Sequence, residues 1–364
     1  MTMKIVFTGG GTAGHVTPNF ALIDAVQAEG WQVDYIGSLA SVEQDLVTRA
    51  KIPFHAIQSG KLRRYFSWKT FIEPFKIATG ICQAFFLLRK LQTDVVFSKG
   101  GFVAFPVVFA AWLNRIPVIA HESDMTPGLA NKLSFPFVDH ICLGFEPAQS
   151  HFKNKEKITV TGTPIRAQLF KGSKQRGLEF CGFTQEKPCL LIMGGSQGAA
   201  NLNRAVRQAA PNLLERYQII HLCGKGKLDN SMNGQKDYYQ LEYANEQLPD
   251  LLAASDIIIS RAGANAVCEI LALQKPHVLV PISAKASRGD QIQNARYFQK
   301  QGVSVVVADD ELSSERLCAA VDDVENRKGE IISIMKALDS QQSAIEKIVV
   351  TIKEQLHAES PKAV

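Results

Sequence analysis

Asp94-Val-Val-Phe-Ser-Lys-Gly-Gly101 and Asp256-Ile-Ile-Ile-Ser-Arg-Ala-Gly263 repeat one pattern at two places in a chain of 364 residues. Each stretch has an acidic residue, a β-branched apolar run, and then Ser, a basic residue and a short Gly-containing turn. A continuous apolar run of this kind predicts a parallel strand that is buried on both faces and enters a loop. The repetition therefore predicts that the chain contains one fold unit twice.

A second pair of motifs supports the duplication. Lys4-Ile-Val-Phe-Thr-Gly-Gly-Gly-Thr-Ala-Gly14 opens the first half, and Cys189-Leu-Leu-Ile-Met-Gly-Gly-Ser-Gln-Gly198 opens the second half. We expect two doubly wound α/β domains, with the ligand site in the cleft between them. The turn 162–166 is the candidate hinge, which gives domains 1–163 and 164–340, followed by a C-terminal helix and tail, 341–364. Residues 331–356 are predicted to be helical.

Composition restricts the class of protein. The chain is 46% apolar, which is enough to form two globular cores. Its seven cysteines are scattered without a Cys-x-x-Cys pair, a pattern typical of a reducing compartment rather than of a disulfide or zinc scaffold. The N-terminus enters a strand after Lys4 and leaves no room for a signal peptide, and the apolar run 102–113 is too short to span a bilayer. A cytoplasmic protein that can lie on a membrane is expected.

The positive charge of the chain is concentrated in one segment. The net charge is +5, and between residues 61 and 90 seven basic residues face Glu73 alone. Within this segment, Lys61-Leu-Arg-Arg-Tyr-Phe-Ser-Trp-Lys-Thr-Phe-Ile72 alternates cations with large apolar groups, which is typical of an anionic lipid surface rather than of a nucleic-acid site. The predicted membrane contacts are Arg63, Arg64, Trp68 and Phe71. The alternative is that the aromatic side chains are core and the cations are a solvated rim.

The first Gly-rich turn has the spacing of a dinucleotide fingerprint. Gly9, Gly11 and Gly14 follow a strand directly, and Asp34, expected at the end of the next strand, would be the ribose-binding acid. This pattern alone favours an NAD(P)-dependent oxidoreductase, and a tight turn without a ligand is also open. A second Gly-rich loop, 194–200, argues for phosphate binding in both halves, which a dehydrogenase does not need.

A third helix start in the second half carries a well-placed acid. In Ala262-Gly-Ala-Asn-Ala-Val-Cys-Glu269 the amides at the helix N-terminus favour an anion, and Glu269 can accept both hydroxyls of a ribose. Gln291 and the amide side chains after it could read sugar hydroxyls. The same residues would also suit an ordinary surface helix.

Taken in order, these motifs resemble the MurG family of bacterial peptidoglycan N-acetylglucosaminyltransferases. The resemblance covers nearly the whole chain and rests on four motifs: Gly9-Gly-Gly-Thr-Ala-Gly-His15; His121-Glu-Ser-Asp-Met-Thr-Pro-Gly-Leu-Ala-Asn131; Gly194-Gly-Ser-Gln-Gly-Ala199; and Gly263 to Glu269 with Gly289-Asp-Gln291. The resemblance implies a GT-B fold. It also implies UDP-GlcNAc as donor, bound by the C-terminal domain, and an undecaprenyl-diphosphate-linked MurNAc-pentapeptide as acceptor, received by the N-terminal domain. The sequence departs from the family pattern at Ala13, Phe102 and Asp124.

The resemblance also implies roles for individual residues. The UDP-GlcNAc contacts fall on Thr12, Ala13, Gly14, Asp124, Arg166, Ser196, Ala244, Ala264, Asn265, Ala266, Glu269 and Gln291. The loops implied for the acceptor diphosphate contain Gly11, Gly14, Gly100 and Gly101. No metal or other cofactor is implied, the sequence has no Asp-x-Asp triplet, and stimulation by a divalent cation stays open.

The two substrates determine the expected mechanism. One in-line displacement of UDP by the 4-hydroxyl of MurNAc inverts the sugar and needs a base on the acceptor side. His15 is the expected base, because its neutral form is available at pH 7, and Glu122 is the alternative. The expected location is the cytoplasmic face of the plasma membrane. The expected role is in peptidoglycan synthesis, and through it in cell shape and division. Contacts with other cell-wall or division proteins stay open. UDP-GlcNAc epimerisation on the same fold and a non-catalytic membrane scaffold are the remaining alternatives.

Overall fold

The computed structural model describes residues 2–60, 73–195, 199–338 and 343–358. The chain forms two compact units, one made of Met1–Pro164 with Gln342–Val364 and the other of Ile165–Gln341. The C-terminal segment, whose destination the sequence does not indicate, therefore belongs to the first unit.

Each unit is built on a single parallel sheet. The first sheet has the order β3-β2-β1-β4-β5-β6-β7 and the second has the order β10-β9-β8-β11-β12-β13. The strands are β1 Lys4–Thr8, β2 Gln32–Ser38, β3 Phe54–Ile57, β4 Val95–Ser98, β5 Val118–Glu122, β6 His140–Leu143, β7 Ile158–Val160, β8 Cys189–Met193, β9 Gln218–Leu222, β10 Tyr238–Leu241, β11 Ile257–Ser260, β12 His277–Leu279 and β13 Val305–Val306. Strand β10, at the edge of the second sheet, was not predicted from the sequence.

Helices connect the strands. They are α1 Thr17–Ala28, α2 Val42–Arg49, α3 Glu73–Leu91, α4 Ala104–Leu113, α5 Leu129–Ser134, α6 Lys174–Cys181, α7 Ala200–Leu213, α8 Leu248–Ala254, α9 Ala264–Ala272, α10 Asp290–Lys300, α11 Ser314–Asn326, α12 Lys328–Leu338 and α13 Ala344–Ala358. Within the described ranges, none of these helices has both the length and the apolar character that a membrane span requires.

The repeated acidic residue has the same structural role in both units. The Asp94 carboxylate accepts a hydrogen bond of 2.8 Å from the Lys4 amide, and the Asp94 amide donates to the Lys4 carbonyl at 2.9 Å. The Asp256 carboxylate and amide make the same two contacts with Cys189, at 2.9 and 2.8 Å. Each acid thus aligns the start of a central strand with its neighbour, which explains why the two stretches match.

The C-terminal helix completes the core of the first unit. Of the predicted helical stretch 331–356, residues 331–338 lie in α12 and residues 344–356 lie in α13, whereas residues 339–342 lie outside the described part of the chain. Ile348 and Ile352 are fully buried in the cluster that includes Phe7 and Leu22, and Lys353 pairs with Glu29 at 2.7 Å. Helix α13 is therefore an integral part of the first unit.

Candidate functional site

In the first unit, two Gly-rich loops meet at the carboxyl edge of the sheet. The loop after β1 and the loop after β4 are neighbours because their strands pair, and the Gly10 amide donates to the Gly100 carbonyl at 3.2 Å. Gly11, Gly100 and Gly101 each have a φ of 88°, a conformation that favours glycine. A Cβ on Gly101 would lie 2.0 Å from the Gly10 carbonyl oxygen. The structure thus brings these predicted glycines together, and close loop packing requires them.

His15 closes the loop after β1. It ends a 3₁₀ turn, Ala13–His15, in which its amide donates to the Thr12 carbonyl at 3.1 Å. Thr12 is exposed, whereas Gly14 and His15 are half-buried. Ala13 fits in this turn because a 3₁₀ backbone does not require a left-handed residue.

Glu122, at the end of β5, organises the next loop. Its Oε1 accepts from the Asp124 amide at 3.0 Å, and its Oε2 accepts from the Gly128 amide at 3.1 Å and from Asn131 Nδ2 at 2.8 Å. The side chain is buried, at 4% exposure. Both carboxylate oxygens therefore hold the loop that carries Asp124 in place.

A buried pair, Lys99 and His121, was not predicted as a unit. Lys99 Nζ lies 2.6 Å from His121 Nδ1, and His121 Nε2 donates to the Gly162 carbonyl at 2.9 Å. Burial, and next the positive charge of Lys99, hold the pKa of His121 well below its usual value. His121 is therefore neutral and links β4 and β5 to the segment that ends the first unit. Lys99 and Arg261 occupy equivalent places in the repeated motif, but Arg261 instead forms an ion pair with Asp309 at 2.7 Å.

The position expected for Asp34 was wrong. Asp34 is the third residue of β2, opposite Val6, and not the last residue of that strand. Its carboxylate contacts His55 Nε2 at 2.7 Å. A ribose-binding acid must stand at the carboxyl end of β2, where Ser38 lies, so the dinucleotide fingerprint is incomplete in this chain.

In the second unit, Arg166 and Glu269 form an ion pair next to a helix start. Arg166 Nε and Nη2 donate to Glu269 Oε1 at 3.0 and 2.9 Å. Their side chains are 24% and 18% exposed, so the pair remains accessible at the surface of the unit. Burial raises the pKa of Glu269, and Arg166 counteracts part of that effect.

Helix α9 supplies the amides beside this pair. It begins at Ala264, after Gly263, and Asn265 and Ala266 lie half-buried in its first turn. The amides of this turn have no partners within the helix and, together with the helix dipole, favour an anion.

Gln291 approaches the same helix start. Its Oε1 accepts from the Ile282 amide at 3.2 Å, and its Nε2 lies 4.0 Å from the point that a Cβ on Gly263 would occupy. Asn294, one turn later on α10, donates to the Ala262 carbonyl at 3.1 Å. The turn before α9 and the first turns of α10 are thereby joined, with Gln291 facing Gly263.

The other residues predicted for the second unit and for the membrane contact do not belong to the cluster formed by Arg166, Glu269 and Gln291. Ala244 follows edge strand β10, which β9 and β8 separate from β11, and it packs half-buried against the core of the second unit. Other predicted residues lie outside the described part of the chain: Ser196, Arg63, Arg64, Trp68 and Phe71.

Comparison with known proteins decides the family. Residues 5–143 match the model of the glycosyltransferase family 28 N-terminal domain, and residues 189–352 match that of the family 28 C-terminal domain. The chain is 59% identical, over 100% of both chains, to a protein of Legionella pneumophila (strain Paris). That relative is named UDP-N-acetylglucosamine--N-acetylmuramyl-(pentapeptide) pyrophosphoryl-undecaprenol N-acetylglucosamine transferase. The chain belongs to the MurG family of glycosyltransferases.

Solved structures agree on the fold. The MurG crystal structure from Acinetobacter baumannii aligns with a TM-score of 0.73 at 23% identity, covering 97% of this chain and 100% of that one. A putative UDP-N-acetylglucosamine 2-epimerase from Listeria monocytogenes aligns with a TM-score of 0.70 at 12% identity, covering 99% and 98% of the two chains. The predicted GT-B fold with two parallel α/β domains is confirmed. Because an epimerase shares this fold, the MurG family membership rests on the full-length relative and not on the architecture.

Proposed function

We propose that this protein transfers GlcNAc from UDP-GlcNAc to the 4-hydroxyl of MurNAc in undecaprenyl-diphosphate-linked MurNAc-pentapeptide, with inversion at the transferred sugar. The observation that carries the proposal is the 59% identity, over the full length of both chains, to a relative named for this transfer. The product would be the lipid-linked disaccharide used in peptidoglycan synthesis.

The second unit is assigned to the donor. Glu269 Oε1 is fixed by Arg166, which leaves the other carboxylate oxygen directed to a ligand such as the ribose hydroxyls. The first turn of α9 is suited to a diphosphate, because its amides and dipole stabilise negative charge as UDP departs. Gln291 would read a hydroxyl of the donor, and Ser196 is proposed as a further diphosphate contact.

The first unit is assigned to the acceptor, with His15 as general base. A base is needed because the attacking group is a hydroxyl, and a histidine can be neutral at pH 7. His15 stands in the turn after β1, at the sheet edge where ligands bind in parallel α/β folds. Glu122 is the weaker alternative, since both of its oxygens already accept hydrogen bonds from the 124–131 loop. Its proposed role is to hold Asp124 toward the donor sugar.

Peripheral binding to the cytoplasmic membrane surface is part of the proposal. Phe75 and Phe86 on α3 are 75% and 69% exposed and stand three helical turns apart on one side. Trp112, at the end of α4, is 50% exposed, and Asn114 beside it joins Arg89 of α3 at 2.8 Å. Exposed rings bordered by cations suit an anionic lipid headgroup region. The lipid-linked acceptor would be reached there, and a role in cell shape and division would follow from the product.

Calorimetric titration with UDP-GlcNAc, UDP and NADH tests the assignment of the donor. The proposal expects UDP and UDP-GlcNAc to bind and NADH to give no saturable heat. Binding of NADH without binding of UDP would contradict the proposal and restore the oxidoreductase alternative.

A further inference from the structure

A buried carboxylate, Glu43, holds the Gly-rich loop after β1. Glu43 is the second residue of α2 and is fully buried. Its Oε2 accepts from the Gly11 amide at 3.1 Å, and its Oε1 accepts from the Ser38 amide at 3.3 Å. One side chain thus joins the loop after β1 to the end of β2.

Three features stabilise the carboxylate in this place. Its two oxygens accept backbone hydrogen bonds, it lies in the first turn of α2, where the helix dipole favours negative charge, and glycine neighbours leave room for it. A Cβ on Gly10 would lie 2.5 Å from the Glu43 carboxyl carbon, and a Cβ on Gly37 would lie 3.0 Å from Glu43 Cγ. The carboxyl group is therefore packed directly against the loop.

We propose that Glu43 is a positioning residue for the transfer reaction, an inference that rests on the proposed function. Through its hydrogen bond with the Gly11 amide, Glu43 fixes the conformation of the loop that carries Thr12 and His15. This amide is occupied by a carboxylate, and the buried negative charge beneath it repels a phosphate. In this proposal the Gly11 amide shapes the loop, and the binding of the acceptor diphosphate by this loop stays a prediction. The loop presents His15 to the acceptor hydroxyl.

A purely architectural role for Glu43 makes a different prediction. If Glu43 only stabilised the fold, its loss would lower the melting temperature and leave turnover of the folded enzyme unchanged. If Glu43 is a positioning residue, turnover must fall even at temperatures where the variant is fully folded. A shift of a catalytic group by about 1 Å can lower the reaction rate about 100-fold. Donor binding would be largely retained, because most of the predicted donor contacts lie in the second unit.

The experiment compares Glu43→Gln, Glu43→Asp and Asp45→Asn in the full-length protein. Asp45 lies in the same first turn but is exposed, so Asp45→Asn removes a charge from the helix start without touching the loop. Glu43→Gln keeps the size of the side chain, but its NH₂ group would face a backbone N–H, so one of the two hydrogen bonds is lost. Glu43→Asp keeps the charge but is too short to bridge Gly11 and Ser38. The measurements are kcat and KM for both substrates, the Kd of UDP-GlcNAc and the melting temperature.

We expect kcat to fall by about 10- to 100-fold in both Glu43 variants, with the UDP-GlcNAc Kd within about twofold of wild type. The kcat of Asp45→Asn should equal that of the wild type. A wild-type kcat in a folded Glu43→Gln protein would overturn the inference. A wild-type kcat in Glu43→Asp would also overturn it, because the negative charge alone would then be sufficient.

Hydrogen exchange on the wild-type protein provides a test if the variants do not fold. The Gly11 amide should be protected without any substrate, and rapid exchange at Gly11 would overturn the inference. A wild-type protein that transfers no GlcNAc but protects Gly11 would count against the proposed function and not against this contact.

Discussion

Arg166 and Glu269 meet through two donors and one acceptor: Nε and Nη2 of the guanidinium both bond to Glu269 Oε1, at 3.0 and 2.9 Å. Among the residues that the structure describes, no group donates to the other oxygen of Glu269. A side-chain carboxylate held at one oxygen is fixed in orientation and still has acceptor capacity for a ligand. This geometry leaves Glu269 able to accept a hydrogen bond from the ribose hydroxyls that we propose it binds.

Glu269→Gln should weaken UDP binding by about tenfold or more, because a charged hydrogen-bond acceptor is replaced by a neutral one. Calorimetry with UDP measures the effect. Glu315→Gln is the matched control, since Glu315 is an exposed glutamate in the first turn of another helix of the same unit. An unchanged Kd in a folded Glu269→Gln protein would remove this residue from the donor site.

His15→Ala should lower kcat by about 100- to 10,000-fold, the usual contribution of a general base, while the UDP-GlcNAc Kd stays near wild type. Steady-state kinetics and calorimetry on the same preparation separate the two effects. His151→Ala, at an exposed histidine of the same unit, should behave as wild type. Turnover near wild type in His15→Ala would move the base to Glu122 or to the substrate.

Buried histidines should make the fold sensitive to acid. Burial lowers the pKa of His277 to about 4, although its hydrogen bond to the Lys275 carbonyl acts in the opposite direction. Since the folded pKa lies below the unfolded value of about 6.5, the folded state binds fewer protons, and stability falls as the pH drops below about 6.5. Between pH 7 and pH 5 this residue should account for about 2 kcal/mol of the free energy of unfolding. Urea unfolding of wild type and His277→Gln at both pH values checks this. The same pH dependence in both proteins would contradict it.

Membrane binding should depend on exposed rings and on cations in different ways. Phe75→Ser combined with Phe86→Ser should lower sedimentation with anionic vesicles by about tenfold or more at every salt concentration at which the wild type still binds, because apolar burial is lost. Arg63→Glu with Arg64→Glu should abolish binding at low salt, and 1 M salt should mimic this change because the Debye length shrinks to about 3 Å. Phe170→Ser, at an exposed ring of the second unit, is the control. Unchanged binding in both double variants would place the membrane contact on another surface.

Much of the fold could be predicted because the signals were local. The repeated motif at Asp94 and Asp256 predicted the duplication. The acid that opens each repeat was visible in the sequence as a repeated residue. Its structural role was not, because its hydrogen bonds are made to a neighbouring strand. Strand β10 is short and lies at a sheet edge, where few contacts constrain its sequence.

The site was harder to predict where residues distant in sequence act together. Asp34 matched a motif by spacing, but spacing does not determine at which end of β2 it stands. Glu43 lies outside the Gly-rich motif that it supports, and only the packing of α2 against the loop reveals the contact. The pair of Lys99 and His121 depends on strands β4 and β5 being neighbours, which is a property of the sheet order.

A transfer assay with purified protein, radiolabelled UDP-GlcNAc and a lipid-linked MurNAc-pentapeptide acceptor tests the proposed reaction directly. Label should move to the lipid fraction only when the acceptor is present, and NMR of the product should show a β-linked GlcNAc at the 4-position of MurNAc. Release of an epimerised sugar nucleotide without any acceptor, or no movement of label to lipid by a folded protein that binds UDP-GlcNAc, would contradict the proposed reaction.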